Sequence, residues 1–187
     1  MGTMNAVRLW TVEDYHKMGE VGLLAPDERV ELIEGVIIPM SPVGPRHVTI
    51  VDRLTEVLVV AFRGQYRISI QNPIILSDDS EPEPDASVSK RLADDEIART
   101  PVAEDVYLVV EVSDSTLLKD QTVKVPLYAR VTIPEMWVID ADANVIEQYT
   151  DPHDGVYQTM REWRRGEQIP TTLGATLDTN EILLANL

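Results

Sequence analysis

The stretch "DVYLVVEVS", residues 105–113, constrains the fold of this chain more than any other. Its apolar residues are nearly continuous, which is typical of a strand buried on both faces at the centre of a sheet. The alternation of a strand places Glu111 on one face with Val109 and Ser113. Burying a carboxylate without a partner is costly, so Glu111 needs a metal ion, a cation or a strong hydrogen-bond donor. A salt bridge with an arginine is the structural alternative to a functional role.

Helix and strand patterns alternate along the rest of the chain. Strands are expected in "YRISIQNPIIL", "DASVS", "PEMWVID", "VIEQYT" and "GVYQTMREW", and a hairpin in "RVELIEGVIIPM". Helices are expected in "TVEDYHKMG", at about 46–62, and in "LLKDQTVKVPLYARV", where Pro126 must lie in the first turn or kink the helix. We therefore predict an α/β fold, a mixed central sheet flanked by helices with an antiparallel C-terminal extension. A length of 187 residues favours a single domain, residues 1–187.

Composition narrows the chemistry and the location. Cysteine is absent, which excludes disulfides and thiolate metal sites, and the three histidines are too scattered to suggest zinc by spacing. A metal with oxygen ligands stays open. Since no apolar run approaches the roughly 20 residues that span a bilayer, and no signal segment is recognised, we expect a cytoplasmic protein without a membrane partner.

The net charge of −16 disfavours the attraction to phosphate on which most nucleic-acid binders depend. A nucleic-acid function therefore requires local groups that offset this negative charge. Clustered cations are one such group, as in "REWRRG", and carboxylates that hold divalent cations no longer present bare negative charge.

The loop "SDDSEPEPDASV" carries five carboxylates, of which Asp85 differs from the others. It opens a strand directly after Pro84, which holds its backbone extended and fixes its side chain at the end of a sheet. The other four lie in a Pro-broken polar stretch that favours a solvated turn: Asp78, Asp79, Glu81 and Glu83.

Lys124 lies on the helix that follows the strand of Glu111. One interpretation is an ordinary surface pair with Asp120, four residues earlier on the same helical face. Taken together, however, Asp85, Glu111 and Lys124 supply two oxygen ligands for Mg²⁺ or Mn²⁺ and one ammonium that orients or activates a water. That set suits phosphodiester hydrolysis, because a metal stabilises charge on phosphate oxygens and lowers the pKa of bound water.

Several ordered motifs resemble those of the Uma2 family of restriction-endonuclease-like proteins, within the PD-(D/E)XK nuclease superfamily. They are "ELIEG", "MSPVGPRH", "PEPD", "VVEVSDS" followed by "KDQTVKVPLYAR", and "IPEMWVID". The resemblance runs from about residue 10 to 175. It implies the restriction-endonuclease-like fold and metal-dependent nuclease chemistry.

The resemblance also assigns site residues. Asp85 matches the "PD" acid of the superfamily motif and Glu111 matches its (D/E) acid. We expect the carbonyl of Val112 to join these two acids as a metal ligand. Ser113 stands where the superfamily's lysine is usual, and Lys124 takes the place of that lysine from the following helix. Two secondary candidates also match the family's pattern: Glu31 as an acid that assists metal binding, and His47 at a helix N-terminus, where a phosphate contact competes with a capping or packing role.

The expected function is that of a Mg²⁺- or Mn²⁺-dependent DNA endonuclease. Because such enzymes must reach both strands, a homodimer is expected. Two alternatives stay open: a nuclease-derived binding or assembly module without turnover, favoured by the charge and by Ser113, and a metal-dependent hydrolase of small phosphoesters.

Overall fold

The computed structural model of the protein describes residues 8–25, 27–91 and 99–185. The helices are α1 (Val12–Glu20), α2 (Pro45–Phe62), α3 (Leu117–Lys119), α4 (Val125–Arg130) and α5 (Thr179–Ile182). The strands are β1 (Val30–Ile33), β2 (Val36–Pro39), β3 (Tyr66–Ile70), β4 (Ala86–Lys90), β5 (Val106–Ser113), β6 (Glu135–Asp140), β7 (Val145–His153), β8 (Val156–Arg164), β9 (Gln168–Pro170) and β10 (Thr176–Asp178).

A six-stranded sheet in the order β3-β4-β5-β6-β7-β8 forms the centre of the fold. Strands β5 and β6 are parallel, and each other neighbouring pair in this sheet is antiparallel. The hairpin of β1 and β2 and the pair β9 and β10 form two small separate sheets. The predicted mixed sheet with flanking helices is confirmed, and the antiparallel extension continues the main sheet through β7 and β8.

The central strand β5 separates two hydrophobic clusters, as its alternation predicts. Val110 packs in the cluster that contains Leu54 and other residues of α2. Val109 points to the opposite cluster, which contains Leu127 and Tyr128 of α4. Both faces of β5 are thus covered, and a carboxylate on this strand lies in the interior.

The helix boundaries follow the local sequence signals. Helix α1 begins with the capping box of Thr11 and Asp14, and α2 begins with Pro45 in its first turn. In the described part of the chain, no helix combines the length and the apolar character that crossing a membrane requires.

The helical segment 117–130 is not a regular α-helix. Between α3 and α4, residues Asp120–Lys124 form a π-helical turn, in which the N–H of Val125 bonds to the carbonyl of Asp120. Pro126 has no N–H, and in a regular helix its ring would collide with the carbonyl four residues earlier. The wider π-helical turn accommodates the proline. The predicted helix is therefore present, but one of its turns is π-helical.

Packing of α2 on the sheet gives a stability prediction. Leu54 is fully buried, so Leu54→Ala should lower the free energy of unfolding by about 2–5 kcal/mol through lost burial and the cavity left behind. Val60 lies on the same helix and is 86% exposed, so Val60→Ala should change it by about 0.5 kcal/mol or less. Urea denaturation of both variants measures the difference, and equal losses would contradict the packing described here.

Candidate active site

One cleft at the ends of β4 and β5 collects the side chains that the sequence singled out. The five residues come from β1, α2, the start of β4, β5 and the π-helical turn: Glu31, His47, Asp85, Glu111 and Lys124. The backbone of Val112 lines the same cleft, together with the loop 40–43 and with Arg29 and Lys119 at its rim. The sequence candidates are therefore neighbours in space, although they span nearly a hundred residues of chain.

Strand register brings the two acids Asp85 and Glu111 together. Ala86 pairs with Val110 in the antiparallel β4–β5 ladder, so the register extended by one residue sets Asp85 opposite Glu111. Residues directly opposite each other project from the same face, with Cβ atoms about 5 Å apart. Asp85 is fixed there by three contacts: its Oδ2 accepts from the N–H of Val112 at 2.8 Å, and its Oδ1 accepts from Nε2 of Gln71 at 3.3 Å and lies 3.0 Å from Nε2 of His47.

Pro84 explains why the carbonyl of Val112 is free of the sheet. The same register sets Pro84 opposite Val112, and a proline has no N–H to donate to that carbonyl. In a strand the N–H and C=O of one residue point the same way, and the N–H of Val112 points to Asp85. The Val112 carbonyl therefore points toward the edge where Asp85 lies. The "PD" pair thus supplies a carboxylate and also leaves a backbone oxygen unpaired beside it.

Lys124 is buried between two acids rather than exposed on the surface. Its Nζ donates to Oε2 of Glu31 at 2.5 Å and to Oε1 of Glu111 at 3.2 Å. Only 3% of its side chain is exposed. The interpretation of Lys124 as a surface partner of Asp120 is wrong, and so is an arginine as the partner of Glu111.

Lys124 contacts Glu111 although it lies on the following helix, and its role as the displaced lysine stays a prediction. Lys124 ends the π-helical turn, on the segment that covers the Glu111 face of β5. From there its ammonium reaches the oxygen of a strand residue 13 positions earlier. Ser113 occupies the position where the superfamily's lysine is usual, and its hydroxyl donates to Oδ2 of Asp120 at 2.6 Å.

Three further residues of the site were missed by the sequence interpretation. The hydroxyl of Tyr128 donates to Oε1 of Glu111 at 2.8 Å, and Lys119 donates to Oε1 of Glu31 at 2.9 Å. Asp120 is buried and accepts from Ser113 and from Thr116, whose Oγ1 lies 2.6 Å away. The four-residue spacing of 120, 124 and 128 was a signal for one inward helical face.

The acidic loop also departs from the solvated turn expected for it. Glu81 is buried and lies 2.6 Å from Nε2 of His16, and Glu83 lines the cleft. Burial raises the pKa of Glu83, against the opposing charge of Arg29. The carboxylates beside Asp85 thus include structural and cleft-facing groups.

The buried acids Glu31 and Glu111 differ in how readily they ionise. Burial acts to raise the pKa of Glu31, but Lys124 and Lys119 outweigh it and hold that pKa below the ordinary 4.5. Burial also acts against the charged form of Lys124, and the carboxylates of Glu111 and Glu31 outweigh it and raise its pKa. Burial raises the pKa of Glu111 to about 8 in spite of Lys124, with Asp120 and Asp85 adding to the rise. We therefore infer that Glu31 and Lys124 form the charged ion pair, and that Glu111 is protonated near neutral pH.

His47 lies in the first turn of α2 and is buried. Its Nε2 contacts Asp85, while Nδ1 is buried and has no hydrogen-bond partner among the described residues. The packing role expected as one alternative fits this burial, and its direct effect is to hold Asp85. Contact of this helix end with a phosphate stays a prediction.

The donor set fits a hard divalent cation only in part. Among the described residues, no group of three or more His, Asp or Glu side chains is arranged to hold a metal ion. Two carboxylates and one carbonyl do converge, and Oε2 of Glu111 accepts no hydrogen bond from the described residues. Mg²⁺ commonly takes one or two carboxylates and completes its shell with waters and substrate phosphates, so two acids suffice.

The mixed sheet and its flanking helices define a nuclease-like α/β fold. A crystal structure of a protein from Anabaena variabilis, described as "a putative nuclease", matches 92% of this chain and 96% of its own length, with a TM-score of 0.69 and 17% identity. That likeness establishes the fold and confirms the restriction-endonuclease-like architecture expected from the sequence.

The family is shown by sequence. The profile of the Uma2 family, described as "Putative restriction endonuclease", matches residues 12–180, and the chain belongs to this family. The recognition made from its motifs is thereby confirmed. No curated protein matches the sequence.

The buried ammonium gives a stability prediction. Lys124→Met should lower the free energy of unfolding by about 3–5 kcal/mol, because it leaves Glu31 without its buried partner. The double variant Lys124→Met/Glu31→Gln should recover part of that loss. Guanidinium denaturation measures both, and Lys119→Met, at the more exposed second partner of Glu31, should cost less. A loss below about 1 kcal/mol, typical of a surface pair, would contradict the burial described.

A pH prediction follows from the raised pKa of Glu111. An acid whose pKa is about 8 when folded and 4.5 when unfolded contributes stability that is fully present below pH 4.5 and is lost as pH rises through 8. Glu111→Gln cannot titrate, so its stability relative to the wild type should improve steadily from pH 5 to pH 9, by roughly 1 kcal/mol or more over the window. Thermal denaturation across this range measures it, and a constant difference would place the proton elsewhere.

Proposed function

We propose that this chain, as one restriction-endonuclease-like domain over residues 1–187, is an endodeoxyribonuclease that depends on Mg²⁺ or Mn²⁺. The observation that carries the proposal is the convergence, in one cleft, of Asp85, Glu111, the Val112 carbonyl and the ammonium of Lys124. Membership of the Uma2 family supports the nuclease role, and DNA is the substrate that the family description suggests.

Asp85, Glu111 and the Val112 carbonyl would hold the cation. When bound, a divalent cation polarises a phosphate oxygen and lowers the pKa of a coordinated water. Glu111 must then release the proton that its raised pKa favours, so cation affinity should increase with pH. The contact of Asp85 with His47 and with the Val112 N–H fixes the carboxylate before any ligand arrives.

Lys124 has the charge and the donor that phosphate chemistry needs. A lysine ammonium carries three N–H donors, and two of them are directed to Glu31 and Glu111. The third is left for a water or a phosphate oxygen in the cleft that Lys124 lines. In this role Lys124 orients the attacking water and stabilises charge on the phosphate.

Glu31 and His47 act through their neighbours. Glu31 anchors Lys124 through a bond of 2.5 Å and is itself held by Lys119. His47 positions Asp85. We therefore assign both as positioning residues. The metal-binding role that was expected in part of Glu31 is assigned to Asp85 and Glu111 alone.

DNA cleavage tests the proposal directly. Supercoiled plasmid, linear duplex and single-stranded DNA, with a chromogenic phosphodiester in parallel, are incubated with Mn²⁺ or with EDTA. The wild type should cleave DNA with Mn²⁺ and not with EDTA. Lys124→Ala should cleave on the order of 100-fold more slowly, the usual cost of removing one positioned acid, base or charge-stabilising group. Asp85→Asn should also lose cleavage, and Lys90→Ala, at an exposed lysine on the far end of β4, should retain it.

The alternatives give different results in the same assay. Binding of Mn²⁺ and DNA without cleavage would favour a binding or assembly module, consistent with the doubly paired Lys124 and the charge of −16. Turnover of the chromogenic ester alone would favour a hydrolase of small phosphoesters. Cleavage by Lys124→Ala at the wild-type rate would reject the role given to the displaced lysine.

A further inference from the structure

Tyr128 places a buried hydroxyl against one of the two acids that would hold the cation. It lies on α4, its side chain is fully buried, and it packs in the hydrophobic cluster that contains Val109 and Val138. Its hydroxyl donates to Oε1 of Glu111 at 2.8 Å and has no other partner among the described residues. Because close packing holds the ring, the hydroxyl is fixed at this one oxygen.

Hydrogen-bond donors occupy one oxygen of Glu111 and leave the other open. Each carboxylate oxygen has two lone pairs with which it can accept hydrogen bonds. Oε1 accepts one bond from Tyr128 and a second from the ammonium of Lys124, at 3.2 Å. Oε2 accepts none from the described residues, and Glu111 lines the cleft. Glu111 therefore offers a cation only one oxygen, Oε2.

Asp85 is restricted in a similar way. Its Oδ1 accepts from Nε2 of Gln71 at 3.3 Å and lies 3.0 Å from Nε2 of His47. Within the described part of the chain, its Oδ2 accepts only from the N–H of Val112, so one lone pair of that oxygen is free. Both acids of the proposed cation site therefore present a single oxygen.

The number of oxygens that an acid presents affects which cation a site prefers. Mg²⁺ requires a near-ideal octahedron, and it is usually held by one or two carboxylates with waters in the other positions. Ca²⁺ is larger, takes more oxygens in a more flexible arrangement and often binds both oxygens of one carboxylate. A Glu111 that offers Oε2 alone meets the needs of the smaller ion and denies Ca²⁺ a second oxygen.

We propose that Tyr128 sets the cation preference of the site, in favour of Mg²⁺ and Mn²⁺ over Ca²⁺, by occupying Oε1 of Glu111. This inference rests on the cation site of the proposed function, but it does not require DNA to be the substrate. Tyr128 acts through Glu111, so it is a positioning residue. The core around its ring needs only an apolar side chain, and the hydroxyl is therefore the group that carries this role.

Competition for bound Mn²⁺ tests the proposal without relying on cleavage. The electron paramagnetic resonance signal of free Mn²⁺ is followed at pH 8 while Mg²⁺ or Ca²⁺ is added to the wild type or to Tyr128→Phe. The variant should bind Mg²⁺ and Mn²⁺ about tenfold more weakly, the usual cost of removing a group that orients a metal ligand. Its affinity for Ca²⁺ should fall by about threefold or less, because the lone pair that Tyr128 occupied becomes free for the larger ion.

Tyr149→Phe is the matched control. It also removes a tyrosine hydroxyl that donates to a glutamate, here Oε2 of Glu147 at 2.7 Å, and neither residue lines the cleft. This variant should keep the wild-type ratio of Mg²⁺ to Ca²⁺ affinity. A ratio that changes as much in Tyr149→Phe as in Tyr128→Phe would overturn the proposal.

Infrared difference spectra give a second measurement that the wild type alone can decide. The gap between the antisymmetric and symmetric carboxylate stretches narrows when both oxygens bind one cation. With Ca²⁺, the wild type should keep the wider gap for Glu111, whose bands are identified by their loss in Glu111→Gln. Tyr128→Phe should show the narrower gap. A narrow gap in the wild type would overturn the proposal even if Tyr128→Phe did not fold.

The outcomes separate this inference from the proposed function. Equal losses of Mg²⁺ and Ca²⁺ affinity in Tyr128→Phe, with a native far-ultraviolet circular dichroism spectrum, would overturn the inference and leave the cation site in place. A wild type that binds none of the three cations would reject the site and the inference together. A wild type that binds Mn²⁺ but cleaves no DNA would contradict the nuclease role alone.

Discussion

A buried ammonium connects the elements on which the site depends. Lys124 joins Glu31 of β1 to Glu111 of β5, so the small hairpin of β1 and β2 is tied to the main sheet through charge as well as packing. Each charge in the interior would be unfavourable alone, and each is tolerated because the others are present. Lys119 donates a further hydrogen bond to Glu31 and Tyr128 donates one to Oε1 of Glu111. The same groups that make the interior stable therefore hold the reactive ones in place.

The connection between β5 and β6 explains how the lysine can lie so far along the chain. Parallel neighbouring strands require a crossover, and here the crossover is the helical segment 117–130, which covers the Glu111 face of β5. A lysine on that segment can therefore contact Glu111 on the face of β5 that the segment covers. The π-helical turn before Pro126 sets its direction. Ser113, at the position where the superfamily usually has its lysine, donates a hydrogen bond to Asp120.

The sequence was most informative where a residue conflicts with its local pattern. An acid in an apolar strand marked Glu111, and an acid held after Pro84 marked Asp85, because both positions are decided by strand geometry within a few residues. The pairing of Glu31 with Lys124 could not be derived in this way, since it joins residues 93 positions apart and depends on where a separate hairpin docks. Asp120 was expected on the surface because helical spacing reports which residues share a face, but not whether that face points inward. Resemblance to the family supplied Glu31 and His47, which local patterns alone did not assign.

The proposed nuclease role requires that Asp85, Glu111 and the Val112 carbonyl form one cation site beside Lys124. Binding of Mn²⁺ to the purified protein, followed by electron paramagnetic resonance at pH 8, tests that claim without relying on turnover. The wild type and Lys124→Ala should bind Mn²⁺, whereas Asp85→Asn and Glu111→Gln should each weaken binding by at least about tenfold, since each removes one of two anionic ligands. Undiminished Mn²⁺ binding by Asp85→Asn, or none by the wild type, would contradict it.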